Sequence, residues 1–189
     1  QNMTTLHDIK KILPTATERK SNSFVSSIKW HKENDEVCMI EGNMVSIYHI
    51  NDDKVSEGNK IDLTYDLSTS RTSNNYDIGS SGVVTPYGAI CYDPHSNNTI
   101  CASYNNHLFL LDTRTASTTS TKLQAHSDVI RDIDYNPNKA YHLVTAGDDR
   151  RVRIWDNRNM TAPLKTLFGH GHWVWSAKYN PFHDQLLLS

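Results

Sequence analysis

The chain has 189 residues, 37% hydrophobic and 21% charged, with a formal net charge of −2, which is the profile of an ordinary folded domain. That balance excludes the basic excess of electrostatic nucleic-acid binding, and no apolar run approaches the ~18 residues of a membrane-spanning helix. Three cysteines, Cys38, Cys91 and Cys101, lack CxxC spacing and sit inside apolar stretches, as reduced core residues of a cytosolic protein do.

In chain order, short apolar segments alternate with clusters of turn formers, so the expected class is all-β. The stretch SFVSSIKWHKENDEVCMIEGNMVSIYHI (23–50) holds three such segments, and an outer strand at Lys60–Leu67 would complete a unit over 23–67. Residues 68–85 are rich in Ser, Thr, Asn and Gly and read as a polar surface loop. The next unit covers 86–123, with GAICYDPHSNNTICASYNNHLFLLDTR at 88–114. A third, at 124–168, contains VIRDIDY, HLVTA and RVRIW, separated by Asn136-Pro137-Asn138 and by Gly147-Asp148-Asp149. Residues 169–189 begin a fourth, and 1–22 are expected to end a preceding one.

These units repeat. His126 and His170, Tyr135 and Tyr179, Pro137 and Pro181, and Thr145 and Ser189 all stand 44 residues apart. A period near forty with His at one end and Trp-Asp at the other marks the blade of a β-propeller. The chain resembles the WD-repeat family, strongly over its last third. The resemblance implies a hydrogen-bonded network of His126, Thr145, Asp149 and Trp155, repeated in part by His170 and Ser189. In the weaker copy at 86–123, Leu111 takes the Trp place, Cys101 the Thr place and Asn105 the Asp place. In the faintest copy, Trp30 stands for Tyr135 and Tyr48 for Trp155. About four units are expected here, a partial propeller cut from the middle of a parent with about seven blades.

No catalytic constellation emerges. The His126–Asp149 pair reads as blade architecture rather than half of a hydrolase site. His170, His172 and His183 lack a cysteine or carboxylate at zinc-ligand spacing, and neither GxGxxG nor GxxxxGK occurs. No cofactor, metal, nucleic acid or small-molecule substrate is expected, and no enzyme. Arg150, Arg151 and Arg153 alternate as the solvated side of an outer strand does.

Partner contact is expected where the innermost strand of each blade begins, at the edge of the central channel. Val129 and Arg131 hold that place in one blade, and Trp173 and Trp175 in the next. Period two puts both indoles on one side of a strand. Two tryptophans beside an arginine have the composition of a binding hot spot, and Asp148 joins them as a candidate.

The phrases VIRDIDYNPNKAYHL, GDDRRVRIWDNRN and HWVWSAKYNPFHDQLLLS are further similar to the WD-repeat family whose members interact with the EARP and GARP vesicle-tethering complexes. That likeness implies a non-catalytic adaptor, cytoplasmic and peripheral at the trans-Golgi network and endosomes. Its expected roles are endosomal recycling, retrograde transport and dense-core vesicle sorting. A second likeness stands beside it. Asp-x-Arg after Trp155 and Leu111 resembles the WDxR signature of cullin–RING ubiquitin ligase receptors, with Arg158 and Arg114 as docking residues. Alternatively, each arginine pairs with a carboxylate of the neighbouring blade.

Overall fold

A computed structural model of the protein describes residues 25–51, 54–64, 87–115 and 118–189. The segments read as the end of a preceding blade (1–22) and as the polar loop (68–85) lie outside these residues. Strands β1 (Val25–Trp30), β2 (Glu36–Glu41), β3 (Met44–Asn51) and β4 (Lys54–Asp62) form the first sheet. The second contains β5 (Ile90–Tyr92), β6 (Thr99–Tyr104), β7 (His107–Asp112) and β8 (Thr118–Gln124). β9 (Ile130–Tyr135), β10 (His142–Gly147), β11 (Val152–Asp156) and β12 (Lys165–Leu167) form the third, and β13 (Lys178–Tyr179) pairs with β14 (Leu187–Leu188).

Each four-stranded sheet is an antiparallel meander in chain order, and the turns have visible causes. Asn136 Oδ1 accepts from the backbone N–H of Asn138 (3.0 Å) and Lys139 (2.8 Å), while Pro137 fixes the intervening φ. Asn180 repeats this with Phe182 (2.8 Å) and His183 (2.9 Å). Between β6 and β7 the turn shrinks to Asn105-Asn106, where Asn105 takes the left-handed φ of 53° that asparagine tolerates best after glycine.

The sheets stack face to face with a core in every gap. Cys38, Ile40, Val45 and Ile47 of the first meet Ile90, Ile100, Phe109 and Leu111 of the second. Cys101 and Leu108 of the second meet Ile130, Ile133, Leu143 and Trp155 of the third. Val144, Ala146 and Val152 meet Val174 and Ala177 beyond it. Neighbours in one strand thus serve opposite cores, Ala102 the first and Cys101 the second, while the fully buried Ile, Leu and Phe side chains contribute about 1.5–3 kcal/mol each. Four-stranded meanders stacked face to face make an all-β, partial β-propeller. Burial pushes the thiols of Cys38 and Cys91 up to about 12 and 11, which favours the protonated thiol at neutral pH.

Polar links cross the gaps as well. Tyr92 donates to Glu36 Oε1 (2.8 Å) between the first two sheets. Between the third sheet and β13, Asp132 Oδ2 accepts from Ser176 Oγ (2.7 Å) and the Ala177 N–H (3.1 Å), and Asp132 Oδ1 from Lys178 Nζ (2.7 Å). Asp134 Oδ2 takes the Tyr179 N–H at 2.9 Å.

Several expectations need correction. The outer strand of the first sheet is Lys54–Asp62, not Lys60–Leu67, because it folds straight back on β3, pairing Asn51 with Lys54. Leu111 pairs with Ile100 as Trp155 pairs with Leu143, so Ala102 rather than Cys101 stands in the Thr145 place. Asn105 corresponds to Asp148, not Asp149: its N–H donates to Tyr87 O (2.9 Å) as that of Asp148 donates to Val129 O (2.9 Å). Arg153 is buried rather than solvated.

Candidate functional site

The third sheet is pinned by one polar chain of side chains. Trp155 Nε1 donates to Thr145 Oγ1 (2.9 Å), which lies 2.7 Å from His126 Nε2, and His126 Nδ1 lies 2.9 Å from Asp149 Oδ1. A carboxylate can only accept, so the imidazole proton sits on Nδ1 and the Thr145 hydroxyl donates to Nε2. Arg153 Nη1 closes the set, donating to Asp149 Oδ2 (2.9 Å) and Ala125 O (2.8 Å). Burial lowers the basicity of His126 despite the Asp149 carboxylate beside it. For Asp149 burial works upward, but His126 and Arg153 outweigh it and hold the carboxyl far below the usual carboxylate range. Both nitrogens of the buried His126 imidazole are engaged, Nδ1 with Asp149 and Nε2 with Thr145. His170 Nε2 and Ser189 Oγ, 2.9 Å apart, form the corresponding bond in the next unit.

Pinning Asp149 fixes the β10–β11 hairpin, and that hairpin carries Asp148. Arg131 projects from β9 and forks onto Asp148, Nε to Oδ1 at 2.8 Å and Nη2 to Oδ2 at 2.5 Å. Its guanidinium carbon lies 4.8 Å from the ring centre of Tyr87, 5.5 Å from Trp173 and 4.9 Å from Trp175. The indoles meet edge-on at 5.9 Å, and His172 lies 5.1 Å from Trp173. Trp173 remains 45% exposed and Trp175 61%. The structure therefore brings together Arg131, Asp148, Trp173 and Trp175. The indoles lie in irregular chain ahead of β13, not on a strand, and Val129 contributes only its backbone carbonyl, which accepts from Asp148. Sequence reasoning missed Tyr87, whose hydroxyl also donates to Arg131 O at 3.3 Å. The only available signal was an aromatic residue just ahead of an inner strand.

The candidate docking arginines share one pose. Arg114 forks onto Asp112 (Nε 3.0 Å, Nη2 2.6 Å) and Arg158 onto Asp156 (2.9 and 2.6 Å). These are carboxylates two residues upstream in the same sheet, not in the neighbouring blade, and the arginine side chains hold them at about 2. Arg158 also lies 4.5 Å over the ring of Tyr141. Among the described residues no group of three His, Cys, Asp or Glu side chains is placed to hold a metal ion.

A family model described as the EIPR1 β-propeller matches residues 5–189. The chain belongs to the EIPR1 β-propeller family. A rat protein named EARP and GARP complex-interacting protein 1 is 41% identical over 133 residues, 67% of this chain and 34% of the rat protein. The human protein of that name is 46% identical over 99 residues, 52% of this chain and 26% of its own length. EARP-interacting protein 1 of Caenorhabditis elegans is 38% identical over 95 residues, 50% of this chain and 26% of the nematode protein. The matched stretches of the chain therefore span about a quarter to a third of the length of these EIPR1-family relatives.

Proposed function

We propose that the protein is a non-catalytic WD-repeat adaptor that binds subunits of the EARP and GARP tethering complexes. Membership of the EIPR1 family and the names of its relatives support this. The observation that carries it is the exposed tryptophan pair seated on an arginine that Asp148 already neutralises. Such a surface offers aromatic contact area without an unpaired buried charge, and hot-spot residues of this type lose about 2 kcal/mol or more on truncation. In the cell this reading places the protein in the cytoplasm, peripheral at the trans-Golgi network and endosomes. There it would support endosomal recycling, retrograde transport and dense-core vesicle sorting.

The test is affinity capture with mass spectrometry, using the full-length protein, its Trp173→Ala/Trp175→Ala variant and Arg158→Ala. Wild type and Arg158→Ala should recover tether subunits, and the folded tryptophan variant about tenfold less. Recovery of cullin–RING ligase subunits instead, lost with Arg158→Ala, would replace the adaptor function by the ligase-receptor one.

A further inference from the structure

The hairpin end of the third sheet carries a second arginine–aromatic unit besides Arg131. Val152 pairs with Leu167, so Phe168 emerges beside the β10–β11 hairpin, and the Arg151 guanidinium carbon lies 5.2 Å from its ring centre. The chain then crosses this end of the sheet to Val174, whose N–H donates to Gly147 O at 3.1 Å. Trp173 and Trp175 flank that anchor. From outermost to innermost strand, the end of one sheet presents Phe168, Trp173 and Trp175, exposed by 72, 45 and 61%.

Positive charge is in excess beside this aromatic strip. Asp148 is forked on Arg131, and Asp149 is held by His126, Arg153 and the Arg151 N–H. Arg150 and Arg151 stand exposed without a carboxylate partner among the described residues, and Arg131 Nη1 makes no hydrogen bond among them. The carboxylate left to solvent in this part of the hairpin end is Asp128, which accepts from the Val129 N–H at 2.8 Å. Cations are also drawn to aromatic faces. Here, however, Arg131 already lies against Tyr87, Trp173 and Trp175, and Arg151 against Phe168, so these rings already have a cation against them.

We propose that this strip docks an acidic linear segment bearing aromatic or large aliphatic side chains. Its carboxylates meet Arg150, Arg151 and the free Nη1 edge of Arg131, and its apolar groups lie on Phe168, Trp173 and Trp175. The proposal rests on the adaptor function for its partner and names the chemistry that partner presents.

The probe is a fluorescein-labelled peptide alternating glutamate with phenylalanine and leucine, read by anisotropy against the full-length protein. Matched peptides carry lysine for glutamate, or alanine for the apolar residues. The acidic apolar peptide should bind about tenfold or more tighter than either control, and weaken as salt rises. Arg150→Glu/Arg151→Glu, a change of two exposed side chains that keeps the wild-type melt, should weaken it by a similar factor. Equal binding of the lysine peptide, or indifference to the arginine reversal, would overturn the proposal. So would tryptophan-dependent tether capture that the acidic peptide cannot displace, and that result would leave the adaptor function standing. Peptide binding that survives when no tether subunit is captured sinks the adaptor function and supports the strip.

Discussion

The second and third sheets have the same four-stranded plan and are secured by different chemistry. Where the third places Trp155, Thr145 and Arg153, the second places Leu111, Ala102 and Phe109, all buried and apolar. The second sheet turns in two residues at Asn105-Asn106, whereas the third needs Gly147–Arg151 and ties that longer hairpin down through Asp149. A blade is therefore seated without the Trp–Thr–His–Asp network. The polar ring adds a fixed loop, and that loop holds the aspartate on which Arg131 and the tryptophans rest.

The contrast breaks most severely at Asp149. Asp149→Ala leaves Arg153 and His126 buried without their carboxylate and should cost about 3–5 kcal/mol in urea denaturation, with loss of tether capture as the hairpin loosens. A cost under ~1 kcal/mol would mean that the ring is not what secures the third sheet. Transplanting one member sharpens the comparison from the other side. Ala102→Thr puts a hydroxyl between Leu111 and Phe109, with no indole or imidazole to meet it, and should destabilise by about 1–3 kcal/mol.

The mildest effect is on pH dependence. His126 is held below its ordinary value in the fold, so the unfolded chain takes up this proton first as pH falls through about 6.5, and stability declines from there. Asp149 is depressed, so its contribution is full above about pH 4 and is lost as pH falls further. The urea midpoint should fall between pH 7 and 5, and less steeply in His126→Gln. A midpoint that stays flat over that range would remove the imidazole from the comparison.

Legibility in the sequence followed the same division. In the third sheet the positions of His126, Thr145, Asp149 and Trp155 were readable because these residues are chemically distinctive at fixed spacing. The second gave its strands but not its register. Apolar residues fill both faces of β6, so Cys101 and Ala102 look equally suited to one place, and only the pairing of Leu111 with Ile100 decides between them. Arg153 misled because alternation separates the faces of a strand without saying which face meets another sheet. Of the site, Arg131, Asp148, Trp173 and Trp175 followed from blade position. Tyr87 did not, since its ring reaches Arg131 across the gap between sheets.

Asp132 and Asp134 have a meaning for a chain made from one end to the other. Without Ser176, Ala177, Lys178 and Tyr179, the two carboxylates beside Val144 and Ala146 would lose these donors. Charge pointing out of an unfinished face keeps nascent chains from sticking to one another there. The next unit brings a hydroxyl, an ammonium group and backbone donors to both groups, so this pair of aspartates favours a neighbour that carries those donors over one that is only apolar.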